Sequence, residues 1–153
     1  MALRLRFDSK INTGERMKIY TEVLEMATAK KREFLNITPR VKAALEKSGL
    51  QDGILVVTSM HVNAAIFVND EEAGLIEDIS NWAEQVAPYR EDYAHSGRFE
   101  SNASAHLQAI LLNHQAIVNC AHGKLDLGPW QQVYFAELDG PRPRRVQVKI
   151  LGE

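Results

Sequence analysis

The reactive side chains in this chain are five histidines, and their spacing sets what chemistry is open to them. His106 stands four residues after Asn102, so the two share one helical face, with Asn113 near the same column. Ala109 lies between them and leaves space rather than filling it. The apolar stripe of this segment runs through Ala103, Leu107, Ile110 and Leu111, which puts the polar column at the stripe's edge, where a pocket wall would lie. A half-exposed histidine at a core edge is the plainer alternative. His61 follows an apolar run and shares a strand face with Asn63; a rigid strand end is a favoured place for a reactive group. His95 lies in a polar loop, His114 closes the apolar stripe as a structural residue, and His122 falls in a hairpin turn.

Three imidazoles suit a divalent metal that keeps an open position for water, although no pair here has the His-x-x-x-His spacing. Asn69, Asp78, Glu137 and Asp139 are candidate ligands for a hard cation, with ordinary solvated surface polarity as the alternative. The stretch DGPRPRR places Arg142, Arg144 and Arg145 after a Gly-Pro turn, beside Glu137 and Asp139. Arginine forks match phosphate or carboxylate, so an anionic substrate and a set of structural salt bridges are both open. Cys120 reads as a buried mid-strand thiol. There is no Walker loop, dinucleotide fingerprint, nucleophile elbow or paired-cysteine motif.

The elements that must position these residues follow from periodicity. Leu3, Leu5 and Phe7 alternate with Arg4 and Arg6 as in an edge strand, and Met17 to Met26 fits a helix stripe or a strand face equally. Residues 32–37 read as extended. Thr38 as N-cap, Pro39 at the first position and Gly49 at the end predict a helix whose buried stripe is Val41, Ala44 and Leu45. ILVVTS after Gly53 reads as a strand buried on both faces, continuing into HVNAAIFVND. A second helix carries Leu75, Ile76, Ile79, Trp82, Ala83 and Val86 inward and stops at Pro88. After a polar loop over 89–100 come the helix from about Asn102 to Asn113, the strand AIVNC, a turn at 122–124 and a long strand WQQVYFAEL. A last strand turns Val146, Val148 and Ile150 one way. Three helices and about seven strands make an α+β domain.

Composition narrows the function classes. With 153 residues, 45% hydrophobic and 25% charged, the chain fits one globular domain. A net charge of −2 gives no reason to expect nucleic acid or an anionic membrane as partner. One cysteine, no signal-like apolar start and no bilayer-length apolar run point to the cytoplasm.

The succession HVNAAIFVND, YAH, NASAHLQAILL and GKLDLGPWQQVYFAELDGPRPRRV resembles the YjbQ-type family. His61 to Ala65 match its histidine followed by two small polar residues and Ala-Ala, with Val62 and Asn63 in place of the usual threonines. Tyr93 and His95, Asn102 and His106, and Glu137, Asp139 and Arg142 match its further motifs. In the Leu127–Gln131 block Pro129 replaces a threonine, and His114 and Gln115 stand where small residues are usual. The resemblance implies a domain over 17–153 behind an N-terminal extension, 1–16, with a curved, mostly antiparallel, half-barrel-like sheet packed by about three helices. It turns Met17 to Met26 into a strand and implies a homotrimer. It makes His61, His95 and His106 a shared catalytic or metal-binding set, with Asn102, Trp130, Glu137 and Arg142 on the substrate. The implied activity is a secondary thiamine-phosphate synthase acting on a phosphorylated small molecule, with a divalent metal such as magnesium or zinc. A metal-dependent three-histidine hydrolase and a non-catalytic trimeric module for an anionic metabolite are the alternatives.

Overall fold

Strand propensity and helical stripes assemble here into two antiparallel sheets and three helices. The computed structural model describes residues 17–95 and 101–153, so the Leu3–Phe7 strand expectation lies outside it. The elements are β1 (Lys18–Ala27), β2 (Glu33–Asn36), α1 (Thr38–Ser48), β3 (Gly53–Ser59), β4 (Ala64–Asn69), α2 (Ala73–Val86), α3 (Ala103–Leu112), β5 (Gln115–Ala121), β6 (Lys124–Asp126), β7 (Gln132–Glu137) and β8 (Pro143–Gly152). A five-stranded sheet has the order β1-β8-β3-β5-β6, and a three-stranded sheet has the order β2-β7-β4. The domain is α+β, and the strands divide between two open sheets rather than one closed barrel.

The ambiguous segment is a strand. β1 runs beside β8 from Lys18↔Gly152 to Ala27↔Pro143, and the ladder fixes what periodicity left open. The main core lies between the inner face of the large sheet, α1 and one face of the small sheet. Leu55, Val57, Val146, Val148 and Ile150 meet Ile66, Val133 and Phe135 there. Each such fully buried side chain contributes about 1.5–3 kcal/mol before its ordering cost. The other face of the small sheet packs on α3 through Ala65, Ala136, Ala105, Ala109 and Leu112. The small sheet is thus covered on both sides, and Ala64, Ala65 and Ile66 are all buried in succession.

Four local expectations are corrected. Ile37, not Thr38, caps α1; Thr38 begins the helix and its hydroxyl accepts the Val133 N–H at 2.8 Å. β3 is buried on one face only, Ile54 being 40% exposed, because nothing among the described residues covers the outer face of the large sheet there. The extended run breaks after Ser59, and residues 60–63 make a turn before β4. In α3 Leu107, Ile110 and Leu111 face outward, Ile110 at 77% exposure, while Ala103, Ala105, Ala109 and Leu112 are buried. Alanines allow the helix axis to approach the small sheet closely, and that contact outweighs the stripe of leucines and isoleucine. Trp82 and Val86 of α2 are likewise exposed, with only Ala83 of that helix buried. Beyond these, β6 appears in the turn region after His122, and β7 starts at Gln132 rather than at Trp130.

A polar network ties the helices to the β1–β2 loop. Arg32 pairs with Glu84 and donates to Gln108 Oε1 at 2.6 Å, while Gln108 Nε2 donates to the Ala87 carbonyl at 2.7 Å. Gln108 is fully buried, so these bonds satisfy what would otherwise be a costly amide.

Candidate functional site

The antiparallel pairing of β3 with β5, with Thr58 opposite Gln115, puts the residues after β3 and before β5 at one end of the large sheet. Ser59 N–H donates to the His114 carbonyl at 2.8 Å and fixes this junction. A cavity of about 460 Å³ opens there, lined by His61, Val62, Ala64, His106, Ala109, Ile110, Asn113 and His114. The polar column expected on α3 therefore faces a real cavity through His106 and Asn113, with Ala109 leaving the space. His95 is brought in from the loop after α2: its ring meets that of His106 edge to face at 4.9 Å. His61, His95 and His106 thus form a chain of neighbours through His106.

His61 is held in one tautomer. Its Nε2 accepts the Arg145 backbone N–H at 2.9 Å, so the neutral ring carries its proton on Nδ1. Burial, then the charges of Arg144 and Arg145, hold its pKa below the usual histidine value, against the smaller pull of Glu137. No three His, Cys, Asp or Glu side chains among the described residues converge to hold a metal ion. The Arg145 bond also removes Nε2 of His61 as a ligand. The three histidines do not fit a metal site within the described part of one chain.

A second constellation follows β7. Glu137, fully buried, receives two bonds of 2.6 Å from Arg144, one of 2.9 Å from the Thr28 hydroxyl and one of 2.9 Å from the Asp139 N–H. Both carboxylate oxygens are taken by the protein. Burial alone would push this carboxyl up, but the Arg144 fork, with Asp139 and Thr28, holds it below the usual range. Asp139 Oδ2 gathers the Asn63 and Asn102 amides at 2.9 and 3.1 Å and Arg142 at 3.0 Å. Arg142 also donates from Nε to the Asp139 carbonyl at 2.9 Å and stays half exposed.

The expected site residues therefore separate. His61 and His106 line one cavity, and His95 meets His106. Asn102 stands at the N-cap position of α3, and its side-chain amide donates to Asp139. Glu137 is a buried structural anion, and Arg142 is clamped on one edge and open on the other. Trp130, at 72% exposure, stands in the turn before β7 and does not line the histidine cavity. His114, assigned a structural place from its stripe, lines that cavity; its signal was the β3–β5 pairing, which brings residues 61 and 114 to one sheet end. Asn63, Asp139 and Arg144, which the sequence flags without placing them on the substrate, are the other contributors.

The profile described as UPF0047 protein YjbQ-like matches residues 22–153. The chain belongs to the YjbQ-type UPF0047 family. A UPF0047 protein of Methanothermobacter thermautotrophicus is 41% identical over 140 residues, covering 92% of this chain and 97% of the relative. The UPF0047 protein YugU of Bacillus subtilis is 30% identical over 86% of this chain and 98% of its own. Among solved structures, a YbjQ-like protein from Sulfolobus solfataricus superposes with a TM-score of 0.86 at 37% identity, covering 90% of this chain and all of that one. The family's histidine, Asn-x-x-x-His and Glu-x-Asp-Gly-Pro-Arg motifs thus meet in three dimensions at the cavity and at the Asp139 cluster behind it.

Proposed function

We propose that this protein is a small cytoplasmic enzyme acting on a phosphorylated small molecule, with thiamine-phosphate synthesis as a secondary activity. The observation that carries the reading is the cavity of about 460 Å³ with His61 and His106 in its wall and His95 against His106. In that reaction a thiazole nitrogen attacks the methylene carbon of a pyrimidine diphosphate. The new C–N bond forms as the C–O bond breaks, and diphosphate leaves with the bonding pair. The nitrogen lone pair needs no deprotonation, so the main demands are positioning and stabilisation of the leaving charge. His106 or His95 acts as the proton donor, and the open edge of Arg142 receives an anionic group. Neutral His61 donates from Nδ1. A divalent ion, magnesium or zinc, enters this reading only as the counter-ion of diphosphate, and no step is assigned to it.

The assembly in this reading is a homotrimer. Ile110, Leu107 and Leu111 of α3, Val62 beside the cavity and Ile117 of β5 are each exposed, and exposed apolar side chains of this kind favour burial against another subunit. Trp130, exposed and outside the histidine cavity, belongs to the reading as a substrate contact made across that assembly.

Incubation with the pyrimidine diphosphate and thiazole phosphate, followed by chromatography for thiamine phosphate, tests this reading. Product from wild type and its loss in His106→Ala are expected. Full synthesis by His106→Ala would remove that residue from the mechanism. Ligand binding without turnover across a panel of phosphate esters would leave the binding module instead.

A further inference from the structure

His61 stands between two cavities. Besides the histidine cavity there is one of about 500 Å³ lined by Glu25, Met26, Ala27, His61, Pro143, Arg144 and Arg145. His61 is the single residue lining both. The two spaces differ in chemistry. The first is walled by Val62, Ala64, Ala109 and Ile110 with imidazoles and an amide, which suits a planar, neutral heterocycle.

The second presents Arg145. Its backbone N–H is fixed on His61, which aims the residue, and its guanidinium has no hydrogen-bond or ion-pair partner among the described residues. Arg144 in the same wall is neutralised by Glu137 and adds rigidity rather than a free charge. Glu25 faces Arg145 directly across the β1–β8 ladder without forming an ion pair among the described residues.

We propose that the cavity on the Arg145 side is an anion subsite that takes the phosphate or diphosphate group of a ligand, with His61 as the wall between it and the heterocycle cavity. This rests on the reading above only in taking the His61 cavity as the reactive one. Arg145, rather than Arg142, becomes the principal phosphate residue: Arg142 spends its Nε and one amino group on Asp139, whereas Arg145 keeps its whole fork. Burial first, and then the charges of Arg144 and Arg145, lower the His61 pKa; a bound anion next to Arg145 offsets the second of these, so ligand binding and the protonation of His61 are linked. Glu25 in the same wall, and His106 and His114 on the far side, are the other titratable groups lining the two cavities.

Titration of the full chain with inorganic phosphate and with pyrophosphate, followed by NMR of the arginine Nε–H and histidine ring signals, tests the subsite. Arg145→Gln is expected to weaken pyrophosphate binding by about tenfold or more, the weight of a charge-assisted fork. Glu25→Gln removes a like charge and is expected to tighten it, and Arg142→Gln, which keeps the Arg145 fork, to weaken it less than Arg145→Gln does. Opposite effects of the Arg145 and Glu25 variants are not produced by loss of fold, and circular dichroism confirms the fold in each. Loss of binding in Arg142→Gln but not in Arg145→Gln would overturn the assignment, as would saturation by pyrophosphate with no shift of the Arg145 or His61 signals or an absence of binding at millimolar pyrophosphate. Thiamine-phosphate synthesis is scored separately. Pyrophosphate binding at Arg145 without synthesis would sink the activity and keep the subsite.

Discussion

Arg144 grips Glu137 through two parallel bonds of 2.6 Å, with both side chains out of water at 4% and 0% exposure. The pair joins the start of β8 to the end of β7, and therefore one sheet to the other at the site's edge. Removing one partner leaves a buried charge with no counterpart. Arg144→Met is expected to lower stability by about 3–5 kcal/mol in urea unfolding, while the double variant with Glu137→Gln recovers part of that loss.

The same pair sets an acid limit. Glu137's carboxyl is held below its usual range in the fold, so its contribution is complete above the unfolded value of about 4.3. It is lost as pH falls past that point and through the lower folded value. Thermal unfolding of wild type is expected to decline more steeply than that of Glu137→Gln as pH falls below about 4.3.

His61 adds a dependence at higher pH. Its folded pKa lies below the unfolded value of about 6.5, so its contribution is present above about 6.5 and falls as pH drops towards the folded value. Histidine ring NMR is expected to show the His61 imidazole titrating below the usual histidine value. His61→Gln, whose amide oxygen can accept the Arg145 N–H, is expected to flatten the stability curve below about pH 6.5, where the unfolded-state imidazole takes up its proton. An unchanged curve would mean that this imidazole titrates normally.

The approach of α3 to the small sheet depends on small side chains. Ala109 is 4% exposed and packs in the cluster with Ala65 and Ala136. Ala109→Leu is expected to cost about 1–3 kcal/mol by overpacking and to shrink the cavity that Ala109 lines. Chemical denaturation gives the first number. Loss of ligand binding without loss of fold at low temperature gives the second.

The outward face of α3 behaves differently. Ile110 is 77% exposed, so Ile110→Glu is expected to change monomer stability by less than about 0.5 kcal/mol. The same change is expected to dissociate the proposed homotrimer, read as a fall in mass by light scattering. Retention of a trimer would place the subunit contact on another surface.

Much of the fold was legible before any coordinates. Pro39 and Gly49 bracket α1, Val41, Ala44 and Leu45 form its buried stripe, and Val146, Val148 and Ile150 turn inward from β8. These depend on local backbone preference and on the period of apolar residues, which are properties of the chain itself. The nearness of Asn113 and His106 across Ala109 was legible for the same reason, since both lie on one helix or at its end. What the sequence could not decide is which face of an element finds a partner. The leucine and isoleucine stripe of α3 is the stronger hydrophobic signal, yet the alanine face is buried because only small residues let the helix close on the sheet. Nor does spacing say which arginine meets which acid. Arg144 takes Glu137 because β8 leaves the turn with that side chain inward, which leaves Arg142 to Asp139 and Arg145 to the cavity beside His61. His61 and His114 lie 53 residues apart in the chain and share a cavity because β3 and β5 pair antiparallel. Residue types and local order determined the candidate chemistry; long-range strand pairing decided which candidates meet, because hydrogen-bonded register, unlike periodicity, joins segments distant along the chain.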